Sequence, residues 1–457
     1  MTNPFCRLPK PIIKMINRRK FIHAASVAGT SFVLAPQIGK AAGFFRGSPN
    51  DKVVIGMMGT HSRGLYLAQN FAKLPNAEIG YVCDVDADVV ASTVADIYKR
   101  TGKKPEGITD IRKLLEKKDI DAIVIAAPDH WHAPATIMAC QAGKHVYVEK
   151  PCSHNPHEGE LAVTASKKYS RLVQMGSQRR SFNNVQGMVK ELHDGVIGRT
   201  YYAKGWYSNH RASIGIGKEV AVPANLDYEL WQGPAPRMPY KDNLIHYNWH
   251  WFWNWGTGEA LNNGTHELDV IRWGLDVDFP NKVVSTGGRF HFKDDWQTPD
   301  TQNILYNFPN DTAAEWEGRS CNGYNTEGLA RGVIFYGDKG TVFYQGGNGY
   351  TVYDGDNKFL KEVKDKTVVD ATNKVSPTEA LDGLHMKNFV DSVRGMAQLN
   401  CPIETGFKST LLPQLGNISY RVDRLLHIDP TNGHILNDPE AMQLWSRTYQ
   451  PGWEIKV

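Results

Sequence analysis

No apolar run in the 457-residue chain approaches the roughly 20 residues that span a bilayer, so no segment reads as a transmembrane helix. Charge of one sign is also missing. Lys and Arg number 52 against 48 Asp and Glu, a net charge of +4. An excess so small and so dispersed excludes an electrostatic nucleic-acid binder. Cysteine is scarce, six residues without a CxxC pair, which in a chain this long argues against a disulfide framework. Cys6 falls in the leader, and Cys83, Cys140, Cys152, Cys321 and Cys401 are expected as buried free thiols. No internal repeat appears. The remaining composition, 41% hydrophobic, 22% charged and 11% aromatic, is that of a globular protein. At roughly 150 residues per domain the length allows two or three domains.

Asn17-Arg18-Arg19-Lys20-Phe21-Ile22 precedes a modest apolar stretch from Ala24 to Ala35, and small residues follow at Gly39, Ala41 and Ala42. A basic start, a short apolar run and a small-residue exit make a secretory signal. The paired arginines resemble the twin-arginine type, which exports folded proteins. Residues 1–42 are therefore expected to be a leader and the protein to be periplasmic. An uncleaved basic anchor is the alternative.

From Val53 the pattern alternates. Val53–Met58, Ala77–Cys83, Ala122–Ala127, His145–Val148 and Leu172–Met175 are short apolar runs. Helical patterns separate them at Leu65–Leu74, Asp86–Arg100, Ala133–Ala142 and Pro156–Tyr169. Such alternation implies βαβ units and a doubly wound parallel sheet, a Rossmann domain over residues 50–180. Beyond Gln178–Ser181 the strand-like runs are consecutive: Thr200–Tyr207, Lys282–Phe290, Gln302–Phe308, Thr312–Trp316, Gly332–Tyr336 and Gly340–Tyr344. Helical patterns flank them at Gly258–Trp273, Thr378–Arg394 and Lys408–Leu426. Residues 181–457 are expected to form an α+β domain with a large, mostly antiparallel sheet.

Between the first strand and first helix lies Gly59-Thr60-His61-Ser62-Arg63-Gly64, the place of a GxGxxG dinucleotide fingerprint. Its central glycine is His61. Asp84 ends the second strand, where a carboxylate binds the adenosine ribose hydroxyls. That charge favours NAD over NADP, whereas Arg63 is the residue that would receive a 2′-phosphate. A nucleotide-free scaffold is the other reading of this segment.

Four further segments carry a resemblance. Pro128-Asp129-His130-Trp131-His132, Glu149-Lys150-Pro151, the run Gly258–Asp269 and His385-Met386-Lys387-Asn388-Phe389 stand in the order found in the Gfo/Idh/MocA oxidoreductases, which the chain resembles over nearly all of its exported part. The resemblance implies a nicotinamide cofactor in a cleft between the two domains, sugar or polyol substrates and a homo-oligomer formed through the C-terminal sheet. It makes Lys150 the group that stabilises a developing alkoxide. It makes His266 the general base, an imidazole suited to work near neutral pH. The family's aspartate four residues before that histidine is Asn262 here, which can bind a substrate hydroxyl but cannot take its proton. Gly59, Thr60, His61, Arg63, Gly64, Asp84, Pro128, His132, Glu149, Lys150 and Gln178 are the expected cofactor contacts. For His132 helix capping is the alternative; for Gln178 and Arg179 it is interdomain packing. Asp269 is expected to be structural.

The segment His246–Trp255 holds eight aromatic or imidazole residues among ten. Aromatic faces stack on the C–H faces of sugars, so Tyr247 and Trp249 join Lys150, Asn262 and His266 as substrate contacts; a domain or subunit interface is the alternative. His210, Arg211 and Lys204 are further polar candidates. His246 and His250, four apart, have no obvious third ligand, and no metal is expected. The chain thus reads as a carbohydrate or polyol oxidoreductase with a tightly held NAD, since an exported enzyme has no free pool to draw on. The alternatives are an NAD-dependent glycosidase, lyase or epimerase that oxidises transiently, and a non-catalytic sugar-binding protein.

Overall fold

The computed structural model describes residues 52–365 and 379–457; the expected leader at 1–42 lies outside them. The first half runs β1 (Val53–Met58), α1 (Arg63–Phe71), β2 (Ala77–Cys83), α2 (Ala87–Thr101), β3 (Glu106–Ile108), α3 (Ile111–Leu115), β4 (Ala122–Ile125), α4 (Asp129–Gln141), β5 (His145–Val148), α5 (Pro156–Lys168) and β6 (Val173–Met175). All six strands are parallel, in the order β3-β2-β1-β4-β5-β6, which is the Rossmann arrangement. β4 and β5 are buried at every residue, as helices on both faces of a parallel sheet require.

A 3-10 turn at Gln178–Ser181 leads into α6 (Asn183–His193), β7 (Thr200–Ser208), α7 (Tyr228–Gln232), α8 (Gly258–Asn262) and α9 (Gly264–Gly274). Then come β8 (Lys282–Gly288), β9 (Thr301–Phe308), β10 (Thr312–Arg319), β11 (Arg331–Gly337), β12 (Gly340–Tyr344), β13 (Tyr350–Asp354) and β14 (Phe359–Val363). The chain closes with α10 (Glu379–Val393), α11 (Ile403–Val422), β15 (Leu426–His427) and α12 (Pro439–Gln443). Nine strands form one sheet, β14-β13-β12-β11-β7-β10-β9-β8-β15, antiparallel throughout except for the β7–β10 pair. Helix α9 packs on β7, β10 and β11, and α11 packs on β8.

The structure departs from the sequence pattern in informative places. The expected helix over 258–273 is two helices, broken at Asn263. Asp129-His130-Trp131-His132 is the first turn of α4, with Pro128 as its N-cap, and not a loop. Helix α11 starts five residues earlier than its apolar pattern, after Pro402, and Leu426 is a strand residue. Strands β13 and β14 were not expected; β14 is largely exposed and charged, so it lacks an apolar period. The five described cysteines are free and buried.

Helix α10 returns from the second half to cover the Rossmann sheet. Its Met386, Phe389, Val390 and Val393 join Val53, Ile55, Phe71, Val124 and Tyr147 in one core cluster. The Phe389 ring meets Phe71 and Tyr147 edge-on, with centroids 6.3 and 5.7 Å apart. Phe389→Ala should cost about 3–5 kcal/mol of stability, read as a fall in the denaturant midpoint.

Candidate active site

The loop from β1 to α1 is tight because two glycines pack on one another. Gly59 has φ +76°, and a Cβ there would lie 2.6 Å from the Ala127 nitrogen. A Cβ on Gly64 would overlap the Gly59 carbonyl. Ser62 caps α1 without a side-chain hydrogen bond; the Gly64 N–H donates to His61 O at 3.1 Å, and an anion here would meet the remaining N–H groups of the first turn. Beside this opening lies a cavity of about 1280 Å³ that runs between the carboxyl ends of the Rossmann strands and the second half of the chain. Gly59, His61, Arg63 and Asp84 line one end. Thr60 and Gly64 do not line it. Thr60 is buried, and its N–H donates to Asp84 Oδ2 at 2.7 Å; Gly64 lies beneath Gly59.

Asp84 also accepts from the Asp86 N–H at 3.1 Å. Burial pushes its carboxyl above the usual range, and the two amides oppose this. Arg63 is paired with two carboxylates. Its Nε donates to Glu149 at 2.8 Å and its Nη1 to Asp382 at 3.1 Å. The expected 2′-phosphate receptor is therefore already paired. The cavity, the uncapped helix start and the strand-end carboxylate fit a diphosphate and ribose.

Farther in, Pro128, His132, Glu149, Lys150 and Gln178 line the same cavity, followed by Asn262 and His266. His132 spends both ring nitrogens on carbonyl oxygens, Pro151 at 2.6 Å and Ala127 at 2.7 Å, so only its carbon edge and faces are left for a ligand. It ties the α4 start to the Lys150 turn. Gln178 Oε1 is buried and has no hydrogen-bond partner among the described residues. Glu149 is buried; its burial would raise the carboxyl, but Arg63 and Lys150 more than offset this and hold it below the usual range.

Lys150 donates to the Asn262 carbonyl oxygen at 2.5 Å and to its Oδ1 at 3.3 Å. An ammonium has three donors, so one proton is left for the cavity. Burial lowers the Lys150 ammonium below the ordinary lysine value, opposed by Glu149 and Asp129. The Asn262 amide nitrogen donates to Glu259 Oε1 at 3.2 Å. Both ends of this amide are thus engaged within the protein, and Asn262 holds Lys150 instead of presenting a free amide to substrate.

His266 is pushed well below the ordinary histidine value, first by burial and then by Arg179, Lys150, Arg331 and Arg63. It is a neutral imidazole, more strongly displaced than its sequence suggests. Asp269 pairs with Arg180 at 2.8 Å and accepts from Ser409 at 2.6 Å, which makes it structural. Arg179 lines the cavity and pairs with Glu267 at 3.1 Å.

The aromatic segment divides. His246, Tyr247, Trp249 and His250 line the cavity. Trp251 is buried against Trp296, ring centroids 4.0 Å apart, and Phe252 and Trp255 belong to a separate core cluster. Tyr247 Oη accepts from Arg211 at 2.9 Å. His210 and Arg211 line the cavity, whereas Lys204 is on the sheet with Glu315. No group of three His, Cys, Asp or Glu side chains suited to a metal occurs among the described residues.

Sequence reasoning missed Arg331, Asp129 and Glu259. Arg331 lines the cavity and shares Glu267 with Arg179. Asp129 lines it and accepts from Thr257 at 2.5 Å. Glu259 is buried beneath Asn262 and Asn263 and binds Arg211 at 2.7 Å. The Gly258–Asp269 run contained Glu259, but nothing local pointed to its partners.

Residues 53–177 match the family described as "Oxidoreductase family, NAD-binding Rossmann fold", and residues 201–307 match the family's "C-terminal alpha/beta domain". The chain thus carries both domains of the Gfo/Idh/MocA oxidoreductases, the first an NAD-binding Rossmann domain. Among curated proteins it is similar to a "Glycosyl hydrolase family 109 protein" of Saccharopolyspora erythraea, 32% identical over 35% of each chain. A protein of the same name from Shewanella baltica is 28% identical over 42% of this chain and 46% of that one. The alignments span less than half the length of these relatives. The WlbA dehydrogenase of Bordetella pertussis, solved with NADH and UDP-GlcNAcA, has the same fold: TM-score 0.61 and 18% identity over 83% of this chain and 99% of that one.

Asp84→Ala should weaken NAD binding about 10- to 100-fold, the loss of charge-assisted hydrogen bonds of about 1.5–3 kcal/mol, and narrow the preference over NADP. Calorimetric titration with both dinucleotides measures this.

Proposed function

We propose that the protein is a carbohydrate or polyol oxidoreductase that acts at a secondary alcohol with a tightly held NAD. The observation that carries this is the common cavity: Lys150, Asn262 and His266 line the same space as Gly59 and Asp84. NAD bound there, with Asp84 at its ribose and the α1 start at its diphosphate, supplies the acceptor for the hydrogen on the oxidised carbon. The chain's own residues manage the proton. His266, neutral among cations, accepts it from the substrate hydroxyl. The Lys150 proton that Asn262 leaves unused hydrogen-bonds the oxygen as negative charge develops on it. Tyr247 and Trp249 offer ring faces to the sugar.

A second reading is favoured by the curated relatives, which are named as glycosyl hydrolases. In it the oxidation would be transient: the proton beside the new carbonyl is removed, the glycosidic oxygen leaves with a proton as an alcohol, water adds to the resulting enone and the carbonyl is reduced again by the hydride taken at the start. Sugars and glycosides given to the NAD-loaded protein separate the two. Accumulating reduced cofactor supports net oxidation; a smaller sugar product without accumulation supports the transient cycle. The leader expected at 1–42 agrees with a resident cofactor, since a folded-protein route carries it along. Nicotinamide released on denaturing the purified protein should approach one per chain; protein that emerges empty and needs millimolar NAD contradicts this part.

Replacing Lys150 or His266 by Ala should lower kcat about 100-fold or more, while nicotinamide released on denaturation stays at the wild-type amount. The pH profile follows from the two displacements. Because His266 lies below the ordinary histidine value, the acidic limb of kcat/KM should fall below pH 6.5. Because Lys150 is lowered too, the alkaline limb should come before pH 10.5. His266→Ala should remove the first limb and Lys150→Ala the second.

A further inference from the structure

His61 occupies the place where a dinucleotide loop uses glycine to let the backbone approach the diphosphate. Its side chain is exposed but stacked on another ring. It lies flat on His246, ring centroids 4.3 Å apart and planes within 11°. His246 belongs to the other half of the chain and is 3.1 Å from Asp86 through Nε2. Both imidazoles line the ribose-and-diphosphate end of the cavity, next to Asp84.

The segment that bears His246 is anchored at both ends on the Rossmann half. At 225–231, the Ala87 N–H donates to Asn225 O at 2.8 Å and the Asp227 N–H to Val85 O at 2.9 Å. Asn225 Nδ2 donates to Asp86 at 2.9 Å, and Trp131 Nε1 to Trp231 O at 3.1 Å. At the other end the His130 N–H donates to Trp255 O at 3.2 Å. Leu226, Tyr228, Trp231, Leu244, Trp249 and Trp255 form the core beneath. Between these anchors the ring of His246 meets the phosphate loop at His61, while Val85, just past β2, packs on the core beneath.

We infer that His61 and His246 form a latch: their stacked rings hold segment 225–255 across the cofactor end of the cavity, so that dinucleotide leaves only when the rings part. The inference rests on the reading of this cavity as an NAD site. It explains why bulk is accommodated at position 61. A glycine there would open the approach to the phosphates but leave the segment untied in its middle. Both histidines are exposed, so the rings can separate without disturbing the core. Asp86 serves as the fixed post, since its Oδ1 also caps α2 through the Asp88 and Val89 amides.

The test is the rate at which NAD-loaded protein loses dinucleotide after dilution into buffer with an NAD-destroying enzyme, followed by the nicotinamide left on the protein. His61→Gly, which restores the glycine pattern, and His246→Ala should each release it roughly three- to tenfold faster, the scale of one ring stack. The double variant should be no faster than either single one, because the two rings act as one contact. His246→Phe, which keeps a flat ring, should retain dinucleotide nearly as long as the wild type. Release from His61→Gly that is unchanged or slower, or additive effects in the double variant, would overturn the latch while leaving the NAD site intact. Wild-type protein that takes up no NAD at millimolar concentration would overturn the site and the latch together.

Discussion

The site depends on the bond between the Lys150 ammonium and the Asn262 carbonyl. A buried ammonium must be partnered, because leaving it bare costs several kcal/mol. The partner here exists only because the helix is broken. In a continuous helix over 258–273 the Asn262 carbonyl would accept from the His266 N–H, four residues on. Instead the His266 N–H donates to Asn263 O at 3.0 Å, and the 262 carbonyl is left at a helix end, where oxygens lack internal partners. Lys150, delivered by the turn after β5, takes it. Gly264 lets the break sit against the sheet: a Cβ there would lie 2.7 Å from the Trp316 ring. One carbonyl thus joins the two halves at the place where the chemistry is proposed to occur.

Around that joint the charges are arranged so that the His266 imidazole faces cations that disfavour its protonated form. Glu267 is shared by Arg179 and Arg331. Glu259 neutralises Arg211 and also orients Asn262. Each guanidinium satisfies a buried carboxylate, and among the described residues no carboxylate pairs with His266 to raise its affinity for a proton. An aspartate at 262 would have placed a negative charge beside Lys150 and near His266, raising both. The amide keeps the same geometry without that charge, which leaves Lys150 less firmly protonated and His266 freer to act as a base.

The legibility of this protein from sequence follows the range of its interactions. β4 and β5 are apolar at nearly every position because both faces are covered, so the Rossmann half was readable from composition alone. Asp84 was found because it lies at a fixed distance along one βαβ unit. Lys150 and His266 were found because short motifs surround them. Asp129–His132 lay outside the helical pattern that starts at Ala133, because this first turn is buried at every residue and so shows no polar–apolar period. The break at Asn263 was invisible because Gly264 is dictated by Trp316, a residue on another strand. The partners of Arg63 show the limit most plainly, since Asp382 is 319 positions away. No local pattern announces such a contact. Strand β14 escaped for a different reason, since an exposed sheet edge needs no apolar period.

That distant contact bears on cofactor choice. An arginine in the phosphate loop would ordinarily argue for a 2′-phosphate. Here α10 leaves the sheet domain, crosses back over the Rossmann core and brings Asp382 to Arg63, while β5 brings Glu149 from the other side. To turn fully onto a phosphate, Arg63 would have to weaken its pairs with two buried carboxylates, Glu149 and Asp382. Asp84, meanwhile, is held at the end of β2, where the ribose would lie, by two backbone amides that favour its charged form against burial. On the reading of this cavity as an NAD site, a preference for NAD follows from how α10 closes over the fold, and the loop that would meet the dinucleotide carries a constraint set more than three hundred residues away.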